Sequence, residues 1–529
     1  MTSFSTSCAC TRRACLAGGL TGLLTWLAPM GSWAQPVVDG LQRHALPDLG
    51  DGQGMSLSEE LRLGQDIARQ LYRDPGFVDD PLLADHVQNV WQALMRAAQI
   101  QGDVPEDMAQ RLAWQILLAK DPSINAFALP GGYMGLHLGL LAEVESTDEL
   151  ASVMAHELSH ICQRHIARML ERQRQQAPWM LAGMILGALA ASQSKTGDIA
   201  QATMVGGQAL ALQGQLNFSR DMEREADRIG LGIHTGAGFA PQAFVGMFGK
   251  LQQASRLNDT GAYPYLRSHP LTTERMADMS NRVGHLPAMG VSAEARQVHA
   301  LMAARAKVLA DEAVSNHRAW MAQQPGPLAS DAQRWQLHAL GAFAALRLRD
   351  AGQWRVHTLA LSHMQTPATA DVWPSMGLLG WQTWPQQAEA HAAWPQSLTS
   401  LVSHGLGLPA RGAMLTAAQT VLSLRLAPQT AIERLQAHVS AHATDATAWQ
   451  TLAGLYQLAG QPVRAARAEA EVSVSHLDWQ GAFDRLRSAQ SLARQSRERD
   501  DFELAIIDSR TRWVQAELRA YLALHPPRT

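Results

Sequence analysis

Cysteine is scarce. The chain of 529 residues has four, and Cys8, Cys10 and Cys15 all fall near its start. Only Cys162 lies beyond them, so a chain cut after its first segment forms no internal disulfide and is stabilised by its core. Runs of one charge are missing too. Lysine and arginine total 44 against 47 acidic residues, a net charge of −3, and the arginines are scattered among acids. With no basic run, nucleic acid is not an expected partner. Two apolar runs stand out, at 16–27 and 180–191. Both are short of the roughly 20 residues that a membrane-spanning helix needs. The length exceeds what one core supports, so two or three domains are expected.

What the N-terminus does have is the pattern of an export signal over residues 1–34. Arg12-Arg13 precedes the first apolar run, and small residues at Ser32 and Ala34 fit cleavage before Gln35. Thr11-Arg12-Arg13 also suits a twin-arginine signal, which leaves the general secretory and twin-arginine routes both open. Arg12 and Arg13 ahead of Cys15 argue against a lipoprotein site.

The stretch around which the chain is organised is Ala155-His156-Glu157-Leu158-Ser159-His160. Residues 149–155 before it are good helix formers without Gly or Pro. On a helix, His156 and His160 leave one face one turn apart, which suits two corners of a tetrahedral zinc site. Glu157 between them can reach a metal-bound water as general base. Cys162 would point about 200° around the helix from His160, so it reads as a packed residue rather than a ligand. A zinc deaminase would need cysteine ligands that are not there.

A third ligand is best sought in residues 220–227, a strongly helical segment. Met222, Ala226, Ile229 and Ile233 form its apolar stripe. Glu223 and Asp227 lie together beside that stripe, and Glu225 projects from the other side. Glu223 can therefore bind zinc while Asp227 hydrogen-bonds a ligand histidine. Upstream, Ser58 with the acids after it reads as a helix start, and a second helix is expected from Pro81 to Ala98. A strand pair follows. Residues 114–119 and 124–129 are apolar runs, and Pro130-Gly131-Gly132 turns the chain into a returning strand at 133–138. Asn125, Ala126, Phe127 and Ala128 are candidates for an edge strand that binds substrate by backbone pairing; an ordinary hairpin under the helix is the alternative.

Taken together, Asn125-Ala126-Phe127-Ala128-Leu129-Pro130-Gly131-Gly132, the His156–His160 motif with Arg164-His165 behind it, Glu223 with Asp227, and Ser268-His269-Pro270 with Arg275 resemble the zinc metallopeptidases that include the CAAX prenyl proteases and the HtpX-type membrane proteases. With an export signal, the chain is most similar to the periplasmic beta-barrel assembly-enhancing group. The resemblance covers residues of about 55 to 280. It implies His156, His160 and Glu223 as ligands of one zinc ion per chain, and Glu157 as the base. It also implies that the His269 segment closes over the metal. Two roles are open to His269: a donor to the oxyanion of the tetrahedral intermediate, or a fourth ligand that holds the enzyme latent. Arg275 could orient substrate or the surroundings of Glu157. His165, about 140° around a continued helix from His160, reads as a supporting residue.

Residues 177–191 between the two halves of the site are apolar all round. They suit either a buried helix or a cover making peripheral contact with membrane or unfolded substrate. Residues 284–292 carry Gly and Pro and form the expected boundary between a peptidase domain at 35–285 and a helical domain at 290–529. In the latter, Trp449, Leu452, Ala453, Tyr456 and Ala465 resemble a tetratricopeptide repeat. Leu415, Leu422, Ala431 and Leu435 fit one period earlier. Trp373-Pro374, Trp384-Pro385 and Trp394-Pro395 break the pattern as an insertion or irregular connector.

The fold expected is thus α+β: a mostly helical zincin-type peptidase domain with a small sheet, then an all-α, tetratricopeptide-like repeat domain. Its expected activity is that of an exported zinc endopeptidase in the periplasm. By resemblance, the substrates are misfolded or stalled outer-membrane proteins, and the repeats recruit them or the outer-membrane assembly machinery. The rival reading is a periplasmic chaperone or scaffold with a latent or structural zinc site.

Overall fold

The computed structural model describes residues 54–174, 219–257, 264–290, 293–496 and 500–525. The export signal at 1–34 and the apolar stretch at 177–191 lie outside these. One compact unit runs from Gln53 to Thr529.

The chain enters through α1 (Leu57–Leu71). Its cap is Ser56 rather than the expected Ser58. Ser56 Oγ accepts the Glu59 amide, while the Glu59 carboxylate takes the Ser56 amide in return at 2.8 Å. That reciprocal box satisfies two amides, which a serine inside the first turn cannot do. After β1 (Phe77–Val78), Asp80 caps α2 (Pro81–Gln101), whose Val87, Val90, Trp91 and Leu94 are buried. A short α3 (Glu106–Arg111) leads to β2 (Gln115–Ala119), then β3 (Ala126–Leu129) and β4 (Tyr133–His137).

The sheet has the order β1-β2-β4-β3. The first two runs, β2 and β3, are therefore not neighbours. β4 lies between them, parallel to β2 and antiparallel to β3. The Pro130-Gly131-Gly132 turn makes the tight β3–β4 reversal with both glycines left-handed (φ 76° and 85°), a conformation that costs glycine little. β3 is left at one edge of the sheet, with β1 at the other.

Helices α4 (Leu138–Glu143), α5 (Thr147–Cys162) and α6 (His165–Arg174) follow, then α7 (Arg220–Gly236), α8 (Gln242–Leu257), the single turn α9 (Tyr265–Ser268) and α10 (Thr273–Gly284). The rest of the described chain is helical. Among the described residues no helix is long and apolar enough to cross a membrane.

Two of the Trp-Pro dipeptides, Trp384-Pro385 and Trp394-Pro395, lie in irregular chain between helices as expected, and the first does not. Trp373-Pro374 opens the helix Trp373–Thr383, where a proline lacks no needed amide, and Trp384 closes it. The Trp394 ring stacks on Trp373 at 4.7 Å and its indole N–H donates to the Trp373 carbonyl, so these rings pack against one another in the core. Further on, the helix pairs Arg411–Ser423 with Gln429–Ala441, and Ala446–Leu458 with Pro462–Ser475, begin 35 residues apart (411 to 446). Trp449, Leu452, Ala453, Tyr456 and Ala465 are buried, as are Leu415, Ala431 and Leu435.

These helix pairs are seated on the first half of the chain. Arg411 joins Asp79 (2.7 Å) to Asp445 (2.7 Å), Arg69 Nε donates to the Leu477 carbonyl, and the Arg69 guanidinium lies 4.1 Å from the Tyr521 ring centre. One hydrophobic core extends from Met55 to Ala468.

The α2 cap is also an ion pair. Asp80 accepts from the Leu83 amide and from Arg305 Nε at 2.9 Å, both partners being nearly buried. Burial would raise the Asp80 carboxyl, but Arg305 offsets this and holds it below the usual carboxylate range. Arg305→Met should cost about 3 kcal/mol at neutral pH, because the buried carboxylate loses its partner. Since the folded value is the depressed one, the parent's advantage should be complete above the unfolded carboxylate pKa of about 3.9 and vanish as pH falls through the folded value. Denaturant unfolding of both proteins at pH 7 and pH 3 checks this; an equal midpoint at pH 7 would sink it.

Candidate metal centre

Ser146 caps α5 by accepting the Glu149 amide, and acids fill the first turn where the helix dipole favours them. The helix then runs through the core, with residues 150–162 all buried. His156 and His160 fall on one face, their Nε2 atoms 3.1 Å apart. Ser219 caps α7, and the stripe of Met222, Ala226, Ile229 and Ile233 is buried. At Gly230 the two helices nearly touch: a Cβ there would lie 3.2 Å from the His156 Cα and the Ala155 carbonyl oxygen. That close approach carries the first turn of α7 over the two histidines. Glu223 Oε2 lies 3.5 Å from His156 Nε2, and Glu223 Oε1 lies 3.5 Å from His160 Nε2.

His269 arrives from the turn after α9. Its Nδ1 is 3.0 Å from Glu223 Oε1 and 3.4 Å from His156 Nε2, and Tyr265 stacks on its outer face at 4.7 Å. His156, His160, Glu223 and His269 thus offer four donor atoms within 4.8 Å of one another, all buried. A tetrahedral zinc ion with ligands at about 2.0–2.1 Å has ligand–ligand spacings of roughly 3.3 Å. Five contacts among the donors, at 3.0–3.5 Å, bracket that value, and the donor set of imidazoles and one carboxylate suits zinc.

Glu157 projects from α5 toward the edge strand. The Ala128 amide donates to its Oε2 at 2.9 Å, while its Oε1 sits 3.4 Å from His269 Nε2 and has no hydrogen-bond partner among the described residues. Burial raises its pKa, which favours a proton-accepting role. Ala126, Phe127 and Ala128 form β3 itself, with Asn125 buried just before it.

Behind the donors stands a second set of contacts. His156 Nδ1 is 3.0 Å from Asp227 Oδ1. Arg275 grips both Asp227 oxygens at 2.7 and 2.8 Å, reaches Glu223 Oε2 at 2.7 Å, and donates to the Pro270 carbonyl. It therefore contacts the carboxylates and the His269 turn rather than Glu157. Burial would lower the His156 pKa, but Asp227 and Glu223 lift it to about 9. Burial and the neighbouring His156 push His160 well below its ordinary value.

The structure departs from the expected continuous helix after His160. α5 ends at Cys162, Arg164 is left-handed (φ 51°), and α6 begins at His165. His165 is thereby turned back, its Nδ1 2.8 Å from His160 Nδ1. Glu225, expected merely off to the side, reaches His165 Nε2. The sequence carried no Gly or Pro to mark this break. Tyr265 was also missed; the Tyr265-x-x-x-His269 spacing over one turn was its available signal. Cys162 is buried away from the donors, and burial pushes its thiol pKa up.

A helix-borne histidine pair with a glutamate between, a carboxylate from a second helix and an edge strand at that glutamate define a centre of the zinc metallopeptidase class. Residues 81–283 match the model of Peptidase family M48, and that segment is an M48 peptidase domain. The chain is 35% identical over 251 residues to the beta-barrel assembly-enhancing protease of Escherichia coli, covering 46% of this chain and 48% of that one. It is 34% identical over 246 residues to the protein of that name from Yersinia pestis, with the same coverage. A more distant relative is the mitochondrial metalloendopeptidase OMA1 of Saccharomyces cerevisiae, 30% identical over 206 residues, or 37% of this chain and 55% of the relative. The chain thus spans about half the length of the relatives it matches.

Zinc content and affinity provide a direct check. The parent should hold one zinc per chain by elemental analysis. Glu223→Ala should lose it, and Asp227→Asn should keep it with affinity lowered about 10–100-fold in chelator competition. An Asp227→Asn protein that binds zinc as tightly as the parent would remove Asp227 from the centre.

Proposed function

We propose that this chain is an exported zinc endopeptidase that cleaves misfolded or stalled outer-membrane proteins in the periplasm. The observation that carries the reading is Glu157: a buried carboxylate, one oxygen held by the Ala128 amide and the other facing the donors. A purely structural zinc site has no use for a base there.

Zinc, held by His156, His160 and Glu223, would supply Lewis acidity to a water and to the scissile carbonyl. The chain's own residues do the rest. In the antiparallel register Ala128 pairs with Met134, and its amide faces away from β4 toward Glu157. A substrate segment extended along the outer side of β3 is therefore brought to Glu157, and pairing through the backbone asks little of its sequence. Glu157 accepts the water proton and passes it to the leaving amine. Asp227 orients His156, and Arg275 orients Asp227 and Glu223. His269 acts as the fourth donor rather than as an oxyanion donor, so the resting centre is latent until its turn moves.

The division of labour between residues 35–285 and 290–529 is one of role rather than of core. The paired helices after residue 410 recruit unfolded protein or outer-membrane assembly machinery, a proposal supported by their stacked pairs and by the names of the Escherichia coli and Yersinia pestis relatives. Export rests on the Arg12-Arg13 pattern, with the route undecided. The fourth corner filled by His269 also favours a second reading, a periplasmic chaperone or scaffold with a latent zinc site.

Cleavage of an unfolded protein by the purified chain from Gln35 onward separates the two. The parent should cleave, Glu157→Gln should keep its zinc and lose activity by about 100-fold or more, and His269→Ala should cleave faster than the parent. If all three hold zinc and none cleaves, the peptidase reading fails and the scaffold stands.

A further inference from the structure

We infer that His165 is a positioning residue for the ligand His160, fixing which of its ring nitrogens carries the proton, and that Arg164, clamped by α1, sets His165 in place. The inference rests on the proposed zinc centre and adds to it a support that the zinc motif does not contain.

The two ligand histidines are backed unequally. Behind His156 stands a carboxylate, Asp227, itself gripped by Arg275. Behind His160 stands another imidazole. His160 directs Nε2 toward His156 Nε2 and Glu223, which leaves Nδ1 at the rear. Its neighbour there is His165 Nδ1 at 2.8 Å, and both rings are buried. Two ring nitrogens at that distance share one hydrogen: one donates and the other accepts. A nitrogen facing a metal offers its lone pair, so His160 carries its hydrogen on Nδ1 and donates it. His165 Nδ1 accepts, which puts the His165 hydrogen on Nε2, where Glu225 Oε2 receives it at 3.1 Å. Arg168 holds that same oxygen at 3.0 Å. Each bond fixes the direction of the next.

The backbone explains how the ring gets there. A continued α5 would carry residue 165 about 140° around the helix from His160. Instead Arg164 adopts φ 51°, a conformation that L side chains avoid, and α6 starts at His165. The Arg164 side chain holds the strained turn: its Nε donates to Glu60 Oε2 at 2.7 Å, and its Nη2 donates to the Met55 carbonyl. Glu60 is buried on α1. A line of direct contacts thus runs from the first helix through Glu60, Arg164 and His165 to the metal ligand. α7 supplies, two residues apart each time, the ligand Glu223, the His165 partner Glu225 and the His156 partner Asp227.

The test uses the full chain loaded with zinc, and with cobalt(II) as a spectroscopic stand-in. His165→Phe keeps a ring of similar shape and removes the acceptor; His165→Asn restores an acceptor oxygen near the Nδ1 position. The Phe variant should raise the zinc Kd about 10–100-fold in chelator competition and shift the visible cobalt bands. The Asn variant should return both toward the parent. Equal zinc affinity and equal cobalt spectra for parent and Phe variant would overturn the inference. A parent with no zinc affinity would remove the centre itself, a distinct result. Should the Phe variant fail to fold, nitrogen-15 NMR of the zinc-loaded parent decides alone. The hydrogens should sit on Nε2 of His165 and Nδ1 of His160, and a hydrogen on His165 Nδ1 would overturn the assignment.

Discussion

Everything in the first half of the chain depends on burying charge. Glu157, Glu223, Asp227, His156, His160, His269 and Arg275 meet in one place, none of them more than 4% exposed. Three carboxylates face one guanidinium and three imidazoles. An isolated ion in such a place costs several kcal/mol, and a neighbouring opposite charge offsets that only with good geometry. Arg275 provides part of it by touching both Asp227 and Glu223. His156 provides more by lying between the same two carboxylates, 3.0 Å from Asp227 and 3.5 Å from Glu223. A divalent cation among the four donors would complete the balance, which is why the centre reads as built for a metal.

The surrounding fold keeps those charges at fixed separations. α5 and α7 approach closely only because Gly230 has no side chain against the His156 backbone. The paired helices seated on α1 and the start of α2 hold the peptidase elements from outside, through Arg69 to Leu477 and Arg411 to Asp79. Holding a carboxylate 3.5 Å from two imidazoles to a precision of about 0.5 Å demands rigid supports. Here the supports are helices with capped ends and buried flanks rather than loops.

Much of this was legible in the sequence where a period or a fixed spacing carried it. The four-residue step from His156 to His160 and the stripe of Met222, Ala226, Ile229 and Ile233 each specify a face. From the two faces, Glu223 and Asp227 follow. What failed were features set by partners far away in the chain. The parallel pairing of β2 with β4 is invisible to a strand pattern, which reads faces and not neighbours. The reversal at Arg164 has no glycine to announce it, because Glu60, 104 residues earlier, holds it. Ser56 and Ser58 compete for one cap, and the reciprocal bond from Glu59 decides between them. Trp373-Pro374 reads as a break because proline ends helices, yet in the first helical turn it starts one just as well.

One imidazole ties these threads together. His269 reaches the fourth corner of the donor set through Nδ1 and stands 3.4 Å from the Glu157 carboxylate through Nε2. On the proposed reading, it therefore withholds the water position and crowds the base at once. The turn that carries it is held by the bond from Arg275 to the Pro270 carbonyl, and Arg275 also orients the ligand carboxylate. One guanidinium thus touches both the turn and the carboxylates. On that reading, a turn that swung out would give up the Pro270 contact and leave Arg275 paired with both carboxylates, which would keep the donor geometry.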